Sequence, residues 1–139
     1  MAAIEPDPKR LSAFLAGPED GPIVMINLLR FRERADYPAD FAAPACTGPE
    51  AYGRYSEGVQ PLLAKAGGRP LWFGLVRGTV IAPGDESWDQ AILVEYPSRK
   101  AFLDMVGSPA YQAIAPHRTA ALADSRLIAT SGALVPPAA

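Results

Sequence analysis

Three segments of the sequence are apolar on both of their faces, and that property limits what the chain can fold into. Between Ile23 and Phe31, the residues Ile23, Met25, Leu29 and Phe31 alternate with Val24, Ile26 and Leu28. Between Leu71 and Ile81, Leu71, Phe73, Leu75 and Ile81 stand against Trp72, Val76 and Val80. Between Trp88 and Tyr96, Ile92, Val94 and Tyr96 stand against Ala91 and Leu93. Successive side chains of a strand point to opposite faces, and a sheet with one wet face alternates apolar with polar residues. These strands need cover on both sides.

The segments between them read as helices. Asp7 and Pro8 suit the start of a short helix carrying Leu11, Phe14 and Leu15 on one face, with Gly17-Pro18 as its stop. Thr47 and Glu50 have the spacing of a capping box, and Tyr52, Tyr55, Val59, Leu62 and Ala66 recur at helical intervals. Pro61 is placed to kink that helix, and Gly67-Gly68 ends it. Ser98 caps a helix carrying Phe102 and Met105; Ser108-Pro109 restarts it, and Pro116 is expected to restart it again. A last strand is expected after Asp124, running to Val135. The order is helix, then strand-helix-strand-strand-helix-strand. This is an α+β fold of the ferredoxin-like βαββαβ type behind an extra N-terminal helix. The reading is one domain over 1–139, with 1–21 as the extension and 22–135 as the core. The first and third strands are expected side by side and parallel in the middle of the sheet, with both helices on one face.

Two helices cover one face only. The simplest cover for the other is a second copy of the sheet, packed face to face about a two-fold axis. Left bare, that face would be an apolar patch of several hundred Å², at or above the roughly 300–600 Å² usual for monomers. At about 25 cal/mol per Å², its burial outweighs the cost of association. The expectation is a homodimer through the sheet faces. The competing cover is the front helix, or the long segment from Arg32 to Gly48, folded back across the sheet.

Composition narrows the partners. The formal net charge of −2 offers no basic stripe for phosphates, so nucleic acid is not expected as a partner. No stretch approaches the roughly 20 apolar residues of a membrane span, and the N-terminus lacks the apolar run of a signal peptide; the expectation is a cytoplasmic protein without membrane contact. Cys46 is the single cysteine and stands beside no base or cation, so it reads as inert. No metal motif, phosphate loop or nucleophile elbow is present, and no metal or cofactor is expected.

The segments GGRPLW, VEYPSRKAFLDMVGSPAYQAIAPHR and RLIAT together resemble the DUF1330 proteins. INLLRF followed by a helix carrying AYGRY resembles their longer subgroup, which has the extra N-terminal helix. The resemblance spans roughly residues 22 to 132. It implies the dimeric α+β barrel superfamily and a homodimer, and it brings no established catalytic residues. Shorter members carry Glu-Gly before the third strand, where this chain has GDESWD, including Glu86. Superfamily relatives include cofactor-independent monooxygenases, lactone isomerases and haem-binding enzymes, which is analogy of fold.

Few residues suggest chemistry. Arg118 follows Tyr111 by seven positions, the same face of an unbroken helix. It can hold a carboxylate bidentately, or instead pair with Glu95 or cap carbonyls. His117 is the only histidine, a candidate general base or haem ligand if something orients its ring, and otherwise a solvated surface residue. Asn27 interrupts the most apolar strand and must be hydrogen-bonded, to a ligand or to backbone. Arg30 and Glu95, near the ends of neighbouring strands, can form a buried pair at a pocket mouth or an ordinary structural salt bridge, and the second is the readier reading. Tyr52, Tyr55, Trp72 and Tyr111 can supply aromatic walls, though aromatic residues at helical spacing are mostly core, and Tyr37 and Phe41 can anchor the long loop as a lid or simply pin it down. The ligand-binding candidates are therefore Asn27, Arg30, Tyr55, Trp72, Tyr111 and Arg118, with His117 and Arg118 as weak catalytic candidates. Two functions fit: a dimer that binds a small, partly apolar organic molecule in a helix–sheet cleft, or a monooxygenase-like or isomerase-like enzyme on such a molecule.

Overall fold

A computed structural model describes residues 2–17 and 21–132. In chain order it contains α1 (Pro8–Leu15), β1 (Ile23–Phe31), α2 (Gly48–Lys65), β2 (Arg69–Leu75), β3 (Gln90–Tyr96), α3 (Arg99–Val106), α4 (Pro109–Ala121) and β4 (Leu122–Thr130). The strands form one sheet in the order β2-β3-β1-β4, which is the ferredoxin-like arrangement. Pro18, and residues 133–135 of the expected last strand, lie outside the described residues.

The helix starts follow from their caps. The Asp7 carboxylate accepts from Lys9 N–H, and the Ser98 and Ser108 hydroxyls accept from Ala101 and Tyr111 N–H. Thr47 and Glu50 make the full reciprocal box, at 3.1 and 2.9 Å. This satisfies two of the first donors of α2 and holds the Glu50 carboxyl below its usual range, chiefly through the Thr47 backbone N–H. Both helical prolines are carried inside unbroken helices, Pro61 in α2 and Pro116 in α4. Pro116 removes one backbone donor without ending the helix, so Tyr111 and Arg118 stay on one helix.

The first and third strands are neighbours at the centre, but they run antiparallel. The reason is topological. The α2 crossover makes β1 and β2 parallel, and the direct β2–β3 connection then reverses the chain. Val24 therefore lies opposite Glu95, while Arg30 sits at the far end opposite Asp124. The expected Arg30–Glu95 pair does not form; Glu95 instead bonds Arg69 across β2–β3 at 2.9 Å. Strand boundaries also shift: β2 begins at Arg69 rather than Leu71, and β3 at Gln90 rather than Trp88. β2 ends at Leu75, six residues before Ile81, and β4 begins directly after α4 at Leu122, before Asp124.

One face of the sheet carries the helices. Leu29, Cys46, Ala51, Tyr52, Ala121 and Leu122 form one buried cluster, and Ile23, Met25, Tyr96 and Met105 form a second. The N-terminal segment is tied to α4 and β4. Asp124 accepts from Ala3 N–H, Arg118 donates to the Ile4 carbonyl, and Thr119 donates to Glu5. Burial alone would raise the Asp124 carboxyl, but bonds from Ala3, Arg126 and Ser125 overcome it and hold the group below its usual value.

The opposite face carries Val24, Ile26 and Leu28 with their register partners Leu93, Ala91 and Ile128 and, beyond Leu93, Trp72. Neither competing cover reaches it. α1 packs on the helical side, its Phe14 edge-on to Phe102 at 6.0 Å, and the loop before α2 packs on α2 and α4. Trp72 is 61 % exposed and Ile128 49 %. Beyond β2 the chain leaves the sheet after a last bond from Val76 N–H to the Asp89 carbonyl, and Val80 and Ile81 stand 95 % and 93 % exposed.

Gly48 fits where the end of β1, the start of α2 and the end of α4 meet. A Cβ there would collide with the Arg32 carbonyl and come within 2.8 Å of the Ala121 carbonyl. Gly48→Ala is therefore expected to cost roughly 1–3 kcal/mol, because both obstacles are backbone. Urea unfolding of the variant checks this; an unchanged midpoint would mean that the junction is looser than described.

Candidate functional site

Two features on the helical side have the materials of a binding site: a groove, and a row of tyrosines leading inward from it. The groove has a volume of about 580 Å³, within the range of small-molecule sites. Phe31 and Leu75 give it apolar walls, Thr47 and Pro49 bring the start of α2, and Arg32, Glu33, Asp89 and Gln90 add polar groups. The Asp89 carboxylate is already bonded to Phe31 N–H at 2.9 Å. Arg32 differs. Its Nε is enclosed and has no hydrogen-bond partner among the described residues. An enclosed donor without an acceptor costs about 1–3 kcal/mol, and Arg99 Nε and Nη1 are left in the same state away from the groove.

From the groove an aromatic row runs into the core. Phe31 meets Tyr52 edge-on at 5.4 Å, Tyr52 meets Tyr55 at 5.3 Å, and Tyr55 meets Tyr111 at 6.0 Å. The Tyr55 and Tyr111 hydroxyls share one hydrogen bond of 2.9 Å. Burial pushes the Tyr52 phenol up to about 12, with Arg118 pulling the other way. It raises Tyr55 still further, helped by Tyr111, and it raises Tyr96. These phenols keep their protons at neutral pH and are not bases there.

The residues singled out from sequence divide between the two faces. Asn27, Tyr55, Tyr111 and Arg118 belong to the helical side. Arg30 and Trp72 belong to the opposite face and cannot line the same cleft. The Asn27 amide donates to the Met25 and Ile92 carbonyls over long bonds of 3.3 and 3.4 Å, the backbone alternative. Arg118 donates to the Ile4 carbonyl at 2.9 Å rather than to Glu95, yet its charge still reaches Tyr52 and Tyr55. None of these residues is on the groove wall. Arg32 was missed because its only mark in the sequence is a position just past a strand.

His117 does have a group that orients its ring. Tyr37 Oη lies 2.7 Å from His117 Nδ1, and Arg54 donates to the same oxygen at 3.1 Å and to the Pro44 carbonyl at 3.0 Å. Phe41 stacks on Tyr37 at 5.6 Å and meets His117 edge-on at 5.2 Å. Tyr37 and Phe41 thus anchor the loop, as their place in the sequence suggested. Arg54 was not singled out, and its flanking tyrosines in AYGRY were the only signal near it. Among the described residues no group of three or more His, Cys, Asp or Glu is placed to hold a metal ion, and no helix is long and apolar enough to cross a membrane.

Residues 41–133 match the model of DUF1330, a domain of unknown function. The chain belongs to the DUF1330 family. No curated protein matches the sequence. Among solved structures, a protein of unknown function from Rhodopseudomonas palustris is 39 % identical with a TM-score of 0.88, over 98 % of this chain and all of that one. A protein of unknown function from Bacteroides fragilis, described as dimeric and ferredoxin-like, is 18 % identical with a TM-score of 0.51, over 83 % of this chain and 100 % of its own. At that identity the second likeness is one of fold. The DUF1330 match begins inside the loop and takes in α2, the tyrosine row and His117, whereas β1 and Arg32 precede it.

If the phenol pair at the end of the row contributes to the fold, Tyr55→Phe and Tyr111→Phe will each cost about 1–2 kcal/mol, because each leaves a half-buried hydroxyl unpaired. The double variant will then cost clearly less than the sum. A double-mutant cycle by chemical denaturation measures the coupling, and strict additivity would show that the bond contributes nothing.

Proposed function

We propose that this DUF1330 protein is a homodimer closed sheet against sheet, and that each protomer binds a small, partly apolar organic molecule bearing a carboxylate or similar acceptor in the groove beside α2. The enclosed Arg32 Nε without an acceptor is the observation that carries the ligand reading. Phe31 and Leu75 suit an apolar body, and the Arg32 guanidinium suits an anionic or carbonyl oxygen. The uncovered apolar face, with Trp72 at 61 % exposure, supports the dimer. The Bacteroides fragilis neighbour being described as dimeric agrees with it. Binding is favoured over turnover because the phenols are held protonated and His117 Nδ1 is engaged by Tyr37.

Two measurements separate the halves of this reading. Sedimentation at micromolar concentration is expected to give twice the chain mass, and Trp72→Glu, which places a charge in the face, is expected to give the chain mass with folding retained. A wild-type monomer would end the dimer reading alone. A thermal-shift panel of aromatic and aliphatic carboxylates and quinols tests the ligand. At a hundredfold excess over Kd, a binder adds about 2.7 kcal/mol, a rise of several degrees, and Arg32→Leu abolishes the rise. A panel without a stabilising compound, or one whose hits are indifferent to Arg32→Leu, would end the ligand reading.

A further inference from the structure

The chain from Arg32 to Thr47 makes a closed excursion between β1 and α2. Its two ends are joined by the Arg34–Thr47 bridge, by Ala35 N–H to the Cys46 carbonyl and by Gly48 N–H to the Glu33 carbonyl. Those ends also supply Arg32, Glu33 and Thr47 to the groove wall. Its outer part is held by backbone bonds from Asp36 N–H to the Ala120 carbonyl and from Phe41 N–H to the Pro38 carbonyl. Side-chain attachment runs through Tyr37 and Phe41 against His117 on α4 and Arg54 on α2, and Arg54 also donates to the Pro44 carbonyl of the loop.

Of the hydrogen bonds in this attachment, the one from Arg54 has a fixed direction, and the Tyr37–His117 bond follows the tautomer of the ring. A guanidinium only donates, so Arg54 Nη1 gives a hydrogen to Tyr37 Oη. In the tautomer whose Nδ1 is unprotonated, the phenol gives its own hydrogen to His117 Nδ1. A proton on Nδ1 reverses the last link. Tyr37 Oη must then accept from two cations at once, and the imidazolium comes to share one oxygen with the Arg54 guanidinium.

We infer that His117 is a proton-sensitive latch: neutral, it holds the Arg32–Thr47 loop closed through Tyr37, and protonated, it releases the loop and loosens the groove wall that the loop carries. The charged groups on the surrounding elements are Arg54, Glu50 and Glu57 on α2, Asp36 and Asp40 on the loop, Glu5 on the N-terminal segment and Arg118 on α4. Of these, Arg54 is the one whose charge acts on the ring. The imidazole is held below its ordinary value of 6.5, first by burial and then by Arg54. A histidine depressed in the closed state contributes full closure above 6.5 and loses it as pH falls through the closed-state value. The latch is therefore shut at neutral pH and opens in mild acid.

Amide hydrogen exchange on the full chain tests this, with Asp36 and Phe41 as reporters and β1 amides as the reference. After correction for intrinsic rates, exchange of the reporters is expected to rise by up to about tenfold for each pH unit below neutrality in the window where one proton is taken up. The β1 amides stay unchanged. His117→Gln, which can still accept from Tyr37 but does not titrate, is expected to abolish the pH dependence. Tyr37→Phe is expected to give fast loop exchange already at about pH 7.5. Because His117 is the only histidine, its ring resonance also gives a direct titration in the wild type, with a midpoint expected below 6.5. Equal loop protection at about pH 7.5 and about pH 5.5, pH dependence that survives His117→Gln, or a ring midpoint at or above 6.5 would each overturn the latch.

Discussion

The junction where β1 ends, α2 begins and α4 turns into β4 is the constraint on which the remaining structure depends. Leu29 and Leu122 are its two fully buried large side chains, and Ala51 and Ala121 let the helices come down onto them. Arg32 N–H bonds the Ala121 carbonyl at 2.8 Å, and Gly48 is pressed against both residues. The loop, the groove and the tyrosine row are positioned from here. The loop leaves and returns at this point, the groove opens beside it, and Tyr52 starts the phenol row just above it.

Much of the architecture is legible because it rests on local chemistry. The Thr47–Glu50 box, the Asp7, Ser98 and Ser108 caps and the double-sided apolar strands each state their role within a few residues. The element order then follows, and with it the ferredoxin-like sheet. Strand direction is a different kind of information. It depends on how the connections wind, and taking the central pair as parallel moved Arg30 to the wrong end of the sheet from Glu95. The early end of β2 was not legible either: Arg77 to Ile81 has strand-forming residues but lies beyond the last ladder bond from Val76.

The site was less legible than the fold. Period put Tyr55 on the inner face of α2, but Tyr111 and Arg118 share one helix only because Pro116 rides inside α4 instead of restarting it. Period and spacing could not show that the Arg118 guanidinium is taken up by the Ile4 carbonyl, a partner 114 residues away. Nor could they reveal that Arg54 and Tyr37 meet over His117, because that contact joins a helix, an irregular loop and another helix. Arg32 is marked by an enclosed Nε without an acceptor, a feature it shares with Arg99 and one that no pattern in the chain records.

The segment beyond β2 has a consequence of its own. Val80 and Ile81 are β-branched, almost wholly in water, and follow an edge strand whose Trp72, Phe73 and Leu75 are more than half exposed. Strands of this kind act as templates for runaway stacking between chains. The sequence flanks the pair with Arg77 on one side and Pro83, Asp85 and Glu86 on the other, residues that add badly to a growing cross-β ladder. A few side chains that have no part in the core thus oppose such stacking along this segment.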